Sequence, residues 1–93
     1  MAAKTRKVAP AIALPALNKA QALAIKNMYQ GEATPEQQKR GMDWIINDLC
    51  RLLNLSFDDD PYVTAFNEGK RCVGRHLTIV IREPLETLTK EKP

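Results

Sequence analysis

The stretch from Phe57 to Arg82, FDDDPYVTAFNEGKRCVGRHLTIVIR, decides the fold, because a helix start, an apolar stripe and an opposing arginine stripe are all written in it. Asp60 is placed to cap a helix and Pro61 suits its first turn, where the missing N–H costs nothing. Three consecutive aspartates favour the positive end of the helix dipole. They lack the alternating oxygen ligands and distal glutamate of an EF-hand, so they read as capping residues and not as a calcium loop. The run Leu77–Ile81 is rich in β-branched residues, yet it has no flanking turn signal and no partner strand. The helix is therefore expected to continue to about Arg82, where Glu83 precedes Pro84 and leaves helical geometry. With about 100° per residue, Tyr62, Val63, Gly69, Val73, Leu77, Val80 and Ile81 fall within about 60° of Phe66 and form the expected core face. Arg71, Arg75 and Arg82 gather opposite. Ala65, Cys72 and His76 border the apolar stripe and, with Gly69, make a low strip that another backbone can approach.

Working back along the chain, Thr34, Pro35, Glu36 and Gln37 spell the start of a second helix, expected from Pro35 to about Leu53. Met42, Ile45, Ile46, Leu49, Leu52 and Leu53 recur at helical spacing and make its core face. Gly41 costs about 1 kcal/mol relative to alanine in mid-helix, so either a close approach offsets it or the first turns are weakly held. Trp44, the single tryptophan, lies about 100° from Ile45 among polar neighbours. A lone tryptophan on a polar face is either an interface residue or is covered by the apolar part of the N-terminal arm around Ile12 and Leu14. A first helix is expected from Lys19 to Gln30, with Asn18 and Gln21 as a capping box and Gly31 as a left-handed stop. Leu17, Ala20, Ala24 and Met28 share its face.

Pro10 and Pro15 prevent a helix from running through residues 1–15, which read as a basic, Ala/Pro-rich arm. The tail 85–93 is polar with isolated Leu85 and Leu88 and is expected to be flexible. The 93 residues therefore hold one helical domain, 16–84, too small for a second. The expected fold is all-α: a small three-helix domain with an antiparallel helical hairpin, the second and third helices pairing across Asn54–Asp59, the first packing across both, and an extended basic N-terminal arm. So few core residues are available that a homo-oligomer is compatible with the chain.

Charge is distributed unevenly. Residues 1–30 carry Lys4, Arg6, Lys7, Lys19 and Lys26 without an acid, +5, while the remainder has nine cations against eleven acids, −2. A basic arm on a near-neutral body fits either contact with DNA or an acidic protein surface, or the solubilising of a loose end. The stripe Arg71, Arg75 and Arg82 fits a phosphate backbone or a simply solvated face. A helix-turn-helix is disfavoured, because the third helix follows DDD and its arginines avoid the N-terminal turns that usually touch bases.

Catalysis is not expected. His76 is the only histidine, and the glycines are too scattered to cradle a phosphate. Cys72 and His76 are helical neighbours, but a reactive thiol needs a cationic, partly exposed site, and this pair is expected to border the core. Cys50 and Cys72 show no CxxC spacing, and with no apolar leader read at the N-terminus they are expected to be reduced thiols. No cofactor, no metal site and no membrane span are expected, since the apolar runs fall far short of about 20 residues.

The order Asp60-Pro61, Thr64-Ala65-Phe66, Glu68-Gly69-Lys70-Arg71 and Val73-Gly74 resembles the Bbp19-like family of small bacteriophage proteins, whose shared segment looks like DP, TAF, EGRR and VG. The resemblance runs from the preceding helix through Leu77; Lys70 stands where arginine is commoner, and Arg75 and His76 replace apolar residues. It implies a phage-encoded helical protein of the head and tail morphogenesis group with no assigned enzymatic activity. The expected function is a virion-associated or assembly protein, found in the virion or the host cytoplasm, that binds other phage structural proteins. Its partner-binding residues are Ile12, Leu14 and Trp44, and its electrostatic contacts are Lys4, Arg6, Lys7, Arg71, Arg75 and Arg82. The alternatives are an early effector that inhibits a bacterial host protein and a nucleic-acid-binding accessory protein.

Overall fold

A computed structural model describes residues 13–89. Among these residues the chain is all-α, with α1 Lys19–Gln30, α2 Pro35–Asp43, a π-helical segment Trp44–Leu49, α3 Pro61–Arg82 and a short α4 Leu85–Thr89. The helix starts follow local chemistry. Asn18 and Gln21 form a reciprocal capping box, as do Thr34 and Gln37, and Gly31 closes α1 in the left-handed region at φ 75°.

α1 packs on α2 through Ala24, Ile25 and Met28, a line shifted from the expected one, since Ala20 is exposed. Gly41 explains its own cost. A methyl group at that position would run into the Met28 sulfur and stand 3.3 Å from Ile25 Cδ1, so the glycine lets α1 close onto α2. An Asn27 to Gln37 side-chain hydrogen bond of 3.1 Å ties the same two helices.

The second helix departs from expectation. Its α-helical part ends at Asp43, and Trp44–Leu49 continue as a π-helix in which the Cys50 N–H donates to the Ile45 carbonyl at 2.8 Å. The wider i→i+5 turn breaks the α-helical phase. Arg51, at φ 56°, then ends the element two residues before Leu53, and Leu49 and Leu53 remain exposed instead of joining the core face. A left-handed arginine costs about 1 kcal/mol that glycine would avoid. Arg51→Gly is expected to gain at most about 0.5 kcal/mol after glycine's own entropy cost, seen in thermal unfolding as a rise of no more than a few degrees. The same change relieves Lys70, whose pKa is lowered first by burial and then by the Arg51 charge.

α3 starts on a clamp of aspartates. Asp60 accepts from the Tyr62 N–H at 2.9 Å, Asp58 accepts from the Asp60 N–H at 2.9 Å, and the Thr64 hydroxyl both donates to the Asp58 carbonyl and accepts from its N–H. The helix runs unbroken through Leu77–Ile81 and stops at Glu83, which is extended before Pro84. Beyond it, Leu85–Thr89 of the expected tail form one short helix.

Contacts between α3 and the preceding segment run in opposite chain order: Asn67 meets Ser56, Arg71 meets Leu52, and Gly74 faces Cys50 and Ile46. The core they leave is small. Ala24, Trp44 and Cys50 are the buried apolar residues among those described, and no large side chain is fully enclosed. Among the described residues no helix is long and apolar enough to cross a membrane.

Candidate protein interaction surface

α3 docks on a different face from the one its apolar stripe defines. Its buried residues are Asn67 and Gly74, flanked by half-buried Val63, Thr64, Lys70, Arg71, Leu77 and Thr78. On the helical wheel this line lies about 90° from the centre of the apolar stripe. Gly74 sets the rotation, because a Cβ there would stand 3.0 Å from Cys50 Cβ, 3.5 Å from Leu52 Cβ and 3.6 Å from the Ile46 carbonyl. Backbone approaches backbone only where there is no side chain. Gly69, expected in the docking face, looks onto open space.

The rotation turns most of the apolar stripe out of the core and leaves Val63 and Leu77 half-buried. Tyr62 is 85% exposed, Phe66 44%, Val73 53%, Val80 60% and Ile81 59%. Next to it, Leu14, Leu49, Cys50, Phe66, Lys70 and Val73 line an open groove of about 490 Å³. The Lys70 ammonium lies 5.6 Å from the centre of the Phe66 ring, so one edge of the strip has a cation over an aromatic face. Leu53, Leu55 and Phe57 add a second exposed apolar group on the connection before α3. Contiguous exposure of this kind makes the strip the candidate interaction surface.

Arg71 belongs to the fold and not to a free arginine stripe. Its Nε donates to the Leu52 carbonyl at 3.2 Å, and Nη1 donates to Ser56 Oγ at 3.3 Å and to Glu68 Oε2 at 2.6 Å. Ser56 also donates to Glu68, and Asn67 Nδ2 donates to the Ser56 carbonyl at 3.0 Å. These groups latch the connection onto α3. Arg75 and Arg82 do stand on the exposed side.

The Glu68 carboxyl is held below its ordinary pKa, first by the Ser56 hydroxyl and then by Arg71. A depressed carboxylate stabilises the fold above its unfolded pKa, and the contribution disappears as pH falls through the folded one. Glu68→Gln is therefore expected to lower stability at neutral pH, with the difference from wild type closing as pH falls below about 4.3. Urea titrations of both proteins across that range check it.

Trp44 takes the covered one of its two expected positions. It is 6% exposed, and its indole N–H donates to the Ala16 carbonyl at 3.1 Å. The cover comes from Ala16, while Leu14 is 75% exposed beside the groove. Lys4, Arg6, Lys7 and Ile12 lie outside the described residues. Cys72 Sγ and His76 Nε2 are 3.7 Å apart, but both are exposed and do not border a core as expected. Burial raises the pKa of the Cys50 thiol, with Lys70 opposing it.

The profile described as "Bbp19-like phage protein" matches residues 44–91, more than half of the chain. The chain belongs to the Bbp19-like phage protein family. The match begins at Trp44 and passes Leu77 to take in α4, so it reaches further than the motif pieces that point to it. It spans the π segment, the latch and all of α3, the parts that set the helix rotation in this Bbp19-like protein. Comparison with curated proteins and with solved structures finds no match.

The exposed strip was legible as a set of residues but not as a surface. Tyr62, Phe66, Val73 and Val80 read as one face, and helical periodicity alone assigned that face to the core. A signal for the true docking line lay in Asn67 and Gly74, seven residues apart, with Arg71 and Thr78 alongside.

Proposed function

We propose that this Bbp19-like protein is a virion-associated or assembly protein that works by binding other phage proteins, without catalysis. The observation that carries the reading is the apolar strip Tyr62, Phe66, Val73 and Val80, which α3 holds away from its own core. A chain with so little buried apolar surface gains stability from whatever covers that strip. Membership of a phage protein family supports the setting, the virion or the host cytoplasm. Within this reading the body is a helical hairpin with a third helix packed beside it, and the basic arm reaches toward an acidic partner or DNA. Leu14 remains a contact residue at the groove, while Trp44 acts by holding the segment that presents it.

Mass spectrometry of purified particles and assembly intermediates tests the proposal, and the protein is expected in at least one of them. Its absence from both would sink the reading. Growth arrest on expression alone, together with a co-purifying bacterial target, would instead place it with effectors that inhibit a host protein.

A further inference from the structure

We propose that the exposed strip of α3 is covered by the α3 strip of a second copy, antiparallel across a two-fold axis near residue 71. The inference rests on that reading in taking the strip as a contact surface; it makes a second copy of this chain the phage protein that covers it, and leaves the groove beside Leu14 and the exposed group Leu53, Leu55 and Phe57 for other phage proteins.

The first support is spacing. Tyr62, Phe66, Gly69, Val73, His76 and Val80 are separated alternately by four and three residues, so they hold a 3.5-residue repeat over the length of the helix. Such a repeat keeps one seam facing a partner helix along its length. No Lys, Arg, Asp or Glu interrupts it. Gly69 is the second support. A glycine in mid-helix costs about 1 kcal/mol, and nothing among the described residues offsets that cost, since a Cβ there would meet none of them within 4 Å. A second helix passing close by supplies the reason.

The third support is that the seam is self-complementary. Around an axis near residue 71, Gly69 of one copy faces Val73 of the other, Phe66 faces His76, and Tyr62 faces Val80. A branched side chain enters the notch of a glycine, and symmetry makes the same contact twice. Charge selects the direction. Asp58, Asp59 and Asp60 precede α3, while Lys70, Arg71, Arg75 and Arg82 occupy its later turns with Glu68 as the single acid within it. Glu83 and Glu86 follow only after the chain leaves the helix. In this register antiparallel pairing places Asp60 opposite Arg82 of the other copy and opposes the two helix dipoles, with Asp59 near Glu83 as the one like-charge approach; parallel pairing would stack all three aspartates on aspartates.

The test uses the full chain in sedimentation equilibrium or light scattering. Wild type is expected at twice the 10.5 kDa chain mass at micromolar concentration. Val73→Glu is expected to run as a monomer with its helical circular dichroism kept, because Val73 is half-exposed within one chain. Val80→Glu, at an equally open position, is the second variant and is expected to weaken the dimer in the same direction. Orientation is read by mixing Tyr62→Cys with Val80→Cys, each in a Cys72→Ser background. Mild oxidation should give a mixed disulfide between the two chains, in excess of either homodimer.

A monomeric wild type, a dimer indifferent to both glutamates, or a dimer without the mixed disulfide would each overturn the proposal. Particle mass spectrometry can fail while the purified chain still pairs, and the reverse, so the two readings stand or fall separately.

Discussion

Replacing Trp44 with alanine is expected to cost about 3–5 kcal/mol, the range for truncating a buried large aromatic. Small domains hold only about 5–15 kcal/mol in total, so the variant should be largely unfolded at 37 °C or melt far below wild type. The loss is large here because Trp44 is the one large residue among the three buried apolar positions, and its indole closes a contact with a residue 28 positions earlier. Without it the Ala16 carbonyl loses the hydrogen bond that ties it to the body. Trp44→Phe separates the two contributions: most of the packing survives, and only the bond to the Ala16 carbonyl goes, at about 0.5–1.5 kcal/mol. Thermal and urea unfolding by circular dichroism give both values. A Trp44→Ala protein as stable as wild type would show that the docked segment is held by something else.

Gly74→Leu is expected to be the other severe substitution. Overpacking a filled site costs about 1–3 kcal/mol, sometimes more, and this site has no soft wall. The nearest atoms are the Cβ atoms of Cys50 and Leu52 and the Ile46 carbonyl oxygen, none of which moves aside by a rotamer change. α3 must therefore lift from the π segment or rotate about its axis. Either movement disturbs the Asn67 to Ser56 and Arg71 to Leu52 hydrogen bonds, whose geometry depends on the same rotation. Gly69→Ala is the control on the same helix. Its new methyl meets nothing among the described residues, so at concentrations low enough to keep the protein monomeric it should gain up to about 1 kcal/mol of helix propensity. Opposite signs at two glycines five residues apart would locate the docking line; equal effects would contradict it.

The parts of this fold that read easily from sequence are those determined within four residues. Asn18 with Gln21, Thr34 with Gln37, Asp60 with Pro61, and Gly31 each meet their partners locally, and all act as their residue types dictate. What failed to read depends on contacts made at a distance. Periodicity in α3 marks an apolar face but cannot say whether the chain's own core or another molecule receives it. Arg71 looks like one of three outward cations until Leu52 and Ser56, on a connection without regular structure, arrive beside it. The π segment has no composition of its own, so nothing in WIINDL distinguishes it from an α-helix. Trp44 was recognised as out of place on its helix, and the reason is a carbonyl supplied by a part of the chain with no periodicity to read.

The bond between Trp44 and Ala16 also decides where the N-terminal residues leave the body. Ala13, Leu14 and Pro15 line the groove beside Phe66 and Val73, so Ala13 is fixed at the edge of the α3 strip and not on the far side of α1. In a two-fold pair of such chains, the two Ala13 positions are related by the same axis and stand at a fixed separation. A ligand that engages both gains through valency, since its second contact forms at a high effective concentration set by that separation. A single indole hydrogen bond would then set the spacing of the two anchor points in such a pair.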